Sequence, residues 1–416
     1  MKPGDFVRLR LAREEIEGTI LESYDSSVIL IKLKSGYNIG IPKEHVLGHE
    51  IIKKYEEKKE RKAILRELKG LSSIGLIVTG GTIASKLDPA TGGVKALTSM
   101  DEFSRFYPGL FKKVNVKRIE IPFLKLSGNM DSDDWIKLAS SVKEMLDDGD
   151  TKGIIVTHGT DTLHYTSSAL SFFLKNLNKP VVLTFAQRSI DRASSDAELN
   201  LECSAQFALS DCAEVVIVGH ANKDDDFCYA LRGTKVRKMH TSRRDTFKAI
   251  NCEPVAKIFP NKVEFLSQFK ARQSYIAPEL DNVFNDKVAL VKFYPGQDAE
   301  ILNYYFKEGY KGVIIEVLGL GQVSESWIST IKKLVKQGFV ICAASQTIYG
   351  SLNPNVYSTG RELEKAGVIY LKDMLSETAF VKLGWVLGHR AWREAGKVKE
   401  KMLENVAGEF NELLSE

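Results

Sequence analysis

Hydrophobic residues in this 416-residue chain change their spacing near residue 72. Before that point they fall in short β-branched runs separated by turn residues, at 5–11, 16–23, 27–33 and 37–41. In the last run Tyr37, Ile39 and Ile41 alternate with polar or small residues, the period of two expected of a half-buried strand. About four or five strands in so short a segment predict a small β-barrel at residues 1–50.

The next segment, residues 53–70, carries both signs of charge at helical spacing. Glu57, for example, lies four residues before Arg61, so the two side chains can meet along one helix face. Mixed charge runs of this kind are usually solvated, and the pattern predicts a helical linker over residues 51–71. The alternative is that its lysines and arginines contact RNA phosphates.

From about residue 72 onward, runs that are apolar at nearly every position alternate with helical stretches. The first set of runs lies at 74–80, 153–159, 180–186 and 214–220, and the second at 287–296, 312–321 and 339–346. Continuous apolar runs are typical of parallel strands covered on both faces. The break near residue 280 predicts two α/β domains, 72–279 and 280–416. The predicted fold is therefore a two-domain parallel-sheet core preceded by a small SH3-like barrel.

Composition excludes several classes of protein. The chain is 44% hydrophobic and 27% charged, which is ordinary for a globular protein, and its net charge of +4 does not by itself indicate a nucleic-acid partner. Its five cysteines are odd in number and lack C-x-x-C spacing, which favours free thiols in a reducing compartment over a disulfide framework or a zinc site. No signal-peptide core and no apolar run of about 18 residues is present, so we expect a cytoplasmic protein.

One hexapeptide pattern, I-V-T-x-G-T, occurs twice, at residues 77–82 and 155–160. Each copy ends a predicted strand, where parallel sheets bind their ligands. The glycines allow a sharp turn and a close approach of the backbone to a ligand. If the two strands are near neighbours, Thr82 and Thr160 face one crevice.

A threonine hydroxyl needs a base before it can act as a nucleophile. Asp161 follows the second copy directly, and a lysine could complete the set. N–H groups of the glycine-rich loops could stabilise an oxyanion. His158 is a second candidate base, or it holds the turn by hydrogen bonds. Neither copy matches the common phosphate-loop or dinucleotide-binding motifs.

Two segments of the sequence resemble a known family. "TGGTIAS" (79–85) and "HGTDTLHYTSSAL" (158–170) resemble the two signature motifs of bacterial-type L-asparaginases. Further segments are similar to the D-subunit family of the archaeal glutamyl-tRNA(Gln) amidotransferase, whose core is asparaginase-like. They lie at 185–201, 231–251, 319–324, 345–369 and 377–388. The N-terminal β unit also fits that family, and simple asparaginases lack it.

The resemblance implies a role for each motif residue. Thr82 would be the nucleophile, while Thr160 and Asp161 would help to activate it and hold the amino-acid end of the substrate. The family's lysine lies nine residues before a phenylalanine, which selects Lys238 before Phe247. Lys235 and Arg237 are close competitors.

Further positions are assigned to substrate binding by the same resemblance. Ser127 would contact the substrate carboxylate, and Gly81 and Gly159 would offer their backbones. The next position in the serine loop is often a larger polar residue in the family, but here it is Gly128.

The chain departs from the simple asparaginases at two further places. The loop after the first motif, residues 86–103, contains no tyrosine, and the first one available is Tyr107. Gly360 occupies the place where those enzymes carry an interface glutamate. These absences predict a regulated amidase that is silent without a partner.

The implied function is the amidase subunit of a tRNA-dependent amidotransferase. Glutamine or asparagine would be hydrolysed, and ammonia would pass to a second subunit that uses ATP and Mg²⁺ to convert Glu-tRNA(Gln) to Gln-tRNA(Gln). The chain itself would bind no cofactor or metal and would form a homodimer core within a heterotetramer. The alternatives are a free-standing L-asparaginase with an accessory domain and an RNA-binding module on an inactive amidase scaffold. The last is motivated by the barrel and by the basic string at 232–244.

Overall fold

The structure, a computed structural model, describes residues 1–23, 25–55, 70–87, 94–192, 194–273 and 275–412. The predicted linker therefore lies largely outside the described residues, as does the middle of the loop that follows the first motif. No helix in the described ranges is long and apolar enough to cross a membrane. All five cysteines are free thiols, and only Cys252 is not fully buried.

The N-terminal β unit is one antiparallel sheet. Its strands are β1 Phe6–Arg10, β2 Glu15–Leu21, β3 Val28–Leu33, β4 Asn38–Pro42 and β5 Gly48–Lys53. They are ordered β4-β3-β2-β1-β5, around a small core of its own. Gly18 in β2 lets β3 approach, because a Cβ there would lie 2.3 Å from the Lys32 carbonyl oxygen. The predicted all-β unit is confirmed.

The remaining strands and helices form the two α/β domains. The strands are β6 Ser73–Val78, β7 Ser85–Leu87, β8 Val94–Ala96, β9 Asn115–Glu120, β10 Thr151–Thr157, β11 Leu174–Lys175, β12 Val181–Thr184, β13 Val215–His220, β14 Cys228–Arg232, β15 Val236–Lys238, β16 Phe247–Ala249, β17 Ala256–Phe259, β18 Lys262–Phe265, β19 Glu279–Leu280, β20 Val288–Lys292, β21 Gly312–Val317, β22 Val340–Ser345 and β23 Ile369–Tyr370. The helices are α1 Met100–Phe106, α2 Pro108–Lys113, α3 Ser132–Asp147, α4 Leu163–Phe173, α5 Ala197–Ala208, α6 Glu300–Lys307, α7 Glu325–Lys336, α8 Ser358–Lys365, α9 Ser376–Gly388 and α10 Ala395–Leu403.

The first α/β domain is built on an eight-stranded sheet in the order β18-β17-β14-β13-β12-β10-β6-β9. The strands from β9 to β13 are parallel, as the apolar runs predict. The last three are antiparallel, so the predicted parallel sheet is extended at one edge by antiparallel strands. The reason is the short connection at residues 221–227 between β13 and β14, which is too short to form a crossover.

The second α/β domain is a four-stranded parallel sheet in the order β20-β21-β22-β23. Its helix α9 packs on α4 of the first domain, where the rings of Phe172 and Trp385 stack with centroids 5.6 Å apart. Trp135 meets Phe284 edge-on at 5.6 Å in the same apolar cluster. A hydrophobic contact of this kind favours a fixed arrangement of two domains.

Candidate active site

The two I-V-T-x-G-T copies end neighbouring strands. β6 and β10 pair in parallel, with Val78 opposite Thr157. The Thr79 hydroxyl donates to the Thr157 carbonyl oxygen at 2.8 Å, and the Thr79 N–H donates to the same oxygen at 3.2 Å. The two chains therefore leave the sheet side by side at one edge, and the expectation that their strands are near neighbours is confirmed.

The glycines of the first copy allow the two loops to touch. Gly80 and Gly81 have φ values of +119° and +82°, which L side chains rarely adopt. A Cβ on Gly81 would lie 2.5 Å from the His158 carbonyl oxygen and 2.6 Å from the Gly159 nitrogen. Thr82 follows at once, at the start of a 3₁₀ turn, with a partly exposed side chain. In the described part of the chain its hydroxyl has no hydrogen-bond partner.

Lys238 reaches this place from the two-stranded ribbon that β15 forms with β16. Its Nζ donates to Thr160 Oγ1 at 2.8 Å and to Asp161 Oδ1 at 2.7 Å. The lysine side chain is 13% exposed, whereas the Asp161 side chain is 75% exposed. The structure thus brings together Thr160, Asp161 and Lys238, three of the four residues predicted to be catalytic, next to the loop that carries Thr82.

The two other candidate basic residues, Lys235 and Arg237, pair with carboxylates outside the second motif. Lys235 forms a buried ion pair with Asp373. Arg237 pairs with Glu377, with Nη2 and Oε1 3.1 Å apart. Of the three basic residues in this short stretch, only Lys238 is bonded to the second motif.

Ser127 is held against the second motif. It is 4% exposed, its hydroxyl oxygen accepts the Asp161 N–H at 3.2 Å, and its carbonyl oxygen accepts the Thr162 hydroxyl at 2.7 Å. A Cβ on Gly159 would lie 2.7 Å from Ser127 Oγ, so the glycine makes room for the serine. At Gly128 a Cβ would meet nothing within 4 Å, so the space beside this exposed glycine is open.

Backbone donors without a protein partner also lie on the two loops at this edge. In the described ranges, the N–H groups of Gly81, Thr82, Gly159 and Thr160 make no hydrogen bond within the protein. Unpaired N–H groups beside a hydroxyl are the arrangement that stabilises a developing oxyanion. Chemically, the edge can bind an acyl group and support attack on it.

His158 holds the second turn. Its Nδ1 lies 2.7 Å from the Gly159 carbonyl oxygen and therefore donates, while its Nε2 accepts from the Thr166 hydroxyl at 2.9 Å. Trp135 Nε1 donates to that same hydroxyl at 3.1 Å. Burial lowers the pKa of His158 to about 4, so the ring is neutral at neutral pH. These contacts favour the turn-holding interpretation over the interpretation as a base.

Three family models match successive parts of the chain. The GatD N-terminal domain matches residues 1–52, the N-terminal asparaginase domain matches residues 73–271, and the glutaminase/asparaginase C-terminal domain matches residues 287–400. The glutamyl-tRNA(Gln) amidotransferase D subunit of Pyrococcus abyssi is 47% identical over 98% of this chain and 94% of its own length. Its counterpart of the same name in Methanococcus maripaludis is 41% identical over 100% of this chain and 99% of its own length.

The chain belongs to the glutamyl-tRNA(Gln) amidotransferase D-subunit family. Solved asparaginases share the core of this D-subunit family member. The thermostable L-asparaginase from Thermococcus kodakarensis superposes with a TM-score of 0.72 at 28% identity, covering 82% of this chain and 99% of the asparaginase. L-asparaginase I from Vibrio cholerae has the same fold, with a TM-score of 0.68 at 24% identity and coverage of 82% of this chain and 100% of its own.

The first tyrosine after the loop that carries Thr82 has a structural role in this D-subunit family member. Tyr107 is 1% exposed and its hydroxyl donates to the Ile83 carbonyl oxygen, one residue beyond Thr82. Burial raises the pKa of Tyr107 well above its usual value. The sequence showed that this tyrosine lies outside the expected loop, but not that it supports the turn after Thr82.

Packing favours a glycine at position 360, where the resemblance implies an interface glutamate in simple asparaginases. Gly360 lies in α8, and a Cβ there would be 2.6 Å from the Pro354 carbonyl oxygen. A glutamate at this position would therefore require a shift of the backbone.

The basic string at 232–244 is not a free cationic patch. In the described part of the chain each of its six lysines and arginines lies within ion-pair distance of a carboxylate: Arg232 with Glu214, Lys235 with Asp373, Arg237 with Glu377, Lys238 with Asp161, Arg243 with Asp245 and Arg244 with Asp225. The string therefore gives no support to the hypothesis of an RNA-binding scaffold. Nor do the described residues contain a group of three or more metal-ligating side chains that could hold an ion.

Acid is expected to destabilise the second motif through its buried imidazoles. The pKa values of His158 and His164 are each lowered to about 4, chiefly by burial, from 6.5. The unfolded state therefore binds more protons, and the free energy of unfolding should fall from pH 6.5 to pH 4 by roughly 3 kcal/mol for each histidine. Urea unfolding across this pH range measures the loss.

His158→Gln keeps a donor and an acceptor without titrating, so its stability should fall less steeply with acid. His45→Gln, at an exposed position of the N-terminal unit, is the matched control and should retain the wild-type slope. Equal slopes for His158→Gln and the wild type would show that His158 does not carry the effect.

Proposed function

We propose that this chain is the amidase subunit of a tRNA-dependent amidotransferase, and that it hydrolyses glutamine or asparagine to deliver ammonia to a second subunit. The single observation that carries the chemistry is that Lys238 Nζ bridges Thr160 and Asp161 beside the Gly81–Thr82 loop. The chain matches D-subunit relatives over almost their full length, which supports a role as one subunit of such an amidotransferase.

In the proposed reaction, Thr82 Oγ attacks the carboxamide carbon of the substrate. Its proton passes to the amine of Lys238, in the deprotonated form, through the Thr160 hydroxyl to which that amine is bonded. The free N–H groups of the two glycine loops would stabilise the tetrahedral oxyanion. The C–N bond then breaks, ammonia leaves with the transferred proton, and an acyl ester of Thr82 remains. Water hydrolyses the ester to release glutamate or aspartate and the free hydroxyl.

The amino-acid end of the substrate would lie against the second motif. Asp161 is 75% exposed and can pair with the substrate ammonium group, while the buried Ser127 can donate its hydroxyl proton to the substrate carboxylate. The open space at Gly128 would admit the longer glutamine as well as asparagine.

The partner would carry the rest of the reaction. A second subunit would bind ATP and Mg²⁺ and amidate Glu-tRNA(Gln), which implies a cytoplasmic location.

Support for a homodimer core comes from the loops after β20, β21 and β22. They expose the large apolar side chains Tyr294, Leu318, Leu320 and Tyr349, of which Tyr349 is 59% exposed. An apolar group of this kind fits a protein interface.

Stepwise reconstitution tests the proposal. Light scattering should first give the chain alone a mass near twice its 46.5 kDa. Ammonia release from glutamine and from asparagine is then measured for the chain alone, and again with its partner subunit, Glu-tRNA(Gln) and ATP. Release is expected to rise strongly only in the full mixture. Rapid asparagine hydrolysis by the chain alone would instead favour the less supported alternative, a free-standing asparaginase.

A further inference from the structure

The ribbon that carries Lys238 is too small to hold itself. β15 and β16 have three residues each, and they form a sheet of two strands apart from the eight-stranded sheet. An isolated two-stranded ribbon is marginally stable at best in water. Val236 and Phe247 anchor the ribbon in the core, and the position of Lys238 depends in addition on what holds the base of the ribbon, residues 233–235.

Two helices hold one side of this base. The Gly233 carbonyl oxygen accepts the Ser167 hydroxyl of α4 at 2.7 Å, and the Thr234 carbonyl oxygen accepts the Thr378 hydroxyl of α9 at 3.0 Å. Both acceptors are backbone groups, so these bonds fix the path of the chain and leave the Thr234 and Lys235 side chains to make other contacts.

The other side of the base is held by the carboxyl-terminal segment, defined here as Glu404–Asn411. The Thr234 hydroxyl donates to the Ala407 carbonyl oxygen at 2.9 Å. Lys235 pairs with the buried Asp373, whose carboxylate also accepts the Asn411 N–H at 2.8 Å and the Asn411 amide at 3.0 Å. The same amide donates to the Asn251 carbonyl oxygen at 2.6 Å, close to the second strand of the ribbon.

The segment is itself firmly seated. Phe410 is 2% exposed, and Glu409 forms a fully buried ion pair with Lys382 of α9. The Glu409 carboxylate also accepts the N–H groups of Val406 and Ala407. Taking two charges out of water usually adds little net stability, so paired buried charges are better explained by the single geometry they require.

We propose that the carboxyl-terminal segment is a positioning element for Lys238, acting on the base of the ribbon through Thr234, Asp373 and Asn411. The inference rests on the proposed function, in which the Lys238 amine takes the Thr82 proton. Lys238 lies four residues beyond Thr234, so a loosened base shifts the amine relative to Thr160. Thr234, Asp373 and Asn411 are positioning residues and do not themselves touch substrate.

Asn411→Ala and Thr234→Val test this inference in the full-length chain assembled with its partner. The first removes the amide bonds to Asn251 and Asp373, and the second removes one hydroxyl without changing the side-chain shape. For both we expect kcat for glutamine hydrolysis to fall about tenfold with KM little changed, because displacement of a reacting group slows chemistry more than binding. Asn282→Ala is the matched control, since its amide also bonds across elements, to Ile136 and Ser140, but not to the ribbon.

A double-mutant cycle separates positioning from general loss of structure. In a Lys238→Met background, Asn411→Ala should change the residual rate less than about twofold, because its effect passes through the missing amine. An equal fall in both backgrounds would overturn the inference, as would full activity of both single variants. If the wild-type complex released no ammonia from glutamine, the proposed function would fail together with this inference.

Discussion

Replacing Thr82 by valine is expected to lower glutamine-dependent amidation by the reconstituted complex by about 10³-fold or more. Valine keeps the shape of the side chain and removes the oxygen that would form the acyl ester, so no covalent route remains. Amidation driven by free ammonium should be unchanged, because that reaction needs only the partner's chemistry. The measurement is the rate of Gln-tRNA(Gln) formation with each nitrogen donor.

Thr79→Val is the matched control for this substitution. Thr79 belongs to the same motif copy, but its hydroxyl is bonded to the Thr157 carbonyl oxygen inside the sheet. Loss of this hydroxyl should lower the free energy of unfolding by roughly 1 kcal/mol and leave the rate of glutamine-dependent amidation within about threefold of the wild-type rate. If Thr82→Val instead retained glutamine-dependent amidation, Thr82 would not be the nucleophile.

Replacing Lys238 by methionine is expected to lower kcat for glutamine hydrolysis by about 10² to 10⁴-fold, the range that general bases contribute. The Thr160 hydroxyl would lose its donor, and the negative charge of Asp161 would lose its partner. Lys248→Met is the control, because Lys248 lies on the opposite strand of the same ribbon and pairs with Asp245. The kcat of Lys248→Met for glutamine hydrolysis should stay near the wild-type value.

Lys238→Arg distinguishes a base from a fixed positive charge. Arginine can donate to Thr160 and Asp161 but cannot be deprotonated in a protein, so it cannot accept the Thr82 proton. We expect Lys238→Arg to be about as impaired as Lys238→Met. An active arginine variant would show that the ammonium only orients the motif, and the base would have to be another group.

Much of the fold could be predicted because its signals are local. Alternation of apolar residues is enough to recognise the N-terminal strands, and continuous apolar runs are enough for the parallel strands that begin with β6. The antiparallel edge from β14 to β18 was not predicted, because its strands lie outside the apolar runs at 74–80, 153–159, 180–186 and 214–220. Its direction depends on the connection at 221–227, which is too short for a crossover.

For the candidate site too, some residues could be predicted from local motifs, whereas the choice of the lysine needed the folded structure. The two motif copies identify Thr82, Thr160 and Asp161 by their letters alone, and the asparaginase resemblance adds Ser127. The residues alone could not separate Lys238 from Lys235 and Arg237, because all three lie within four residues. Their partners, Asp161, Asp373 and Glu377, are far away in the chain and become neighbours only after folding.

The sequence by itself determined that this is an α/β protein with an extra β unit, that two threonines end two strands, and that it belongs with the asparaginase-like amidases. Only the tertiary structure decided that His158 is a neutral buried support, that Tyr107 is tied to the turn after Thr82, and that the carboxyl-terminal segment reaches the base of the Lys238 ribbon. The physical reason is that local conformation follows from nearby side chains, whereas hydrogen bonds and ion pairs between distant segments depend on how the sheets and helices pack.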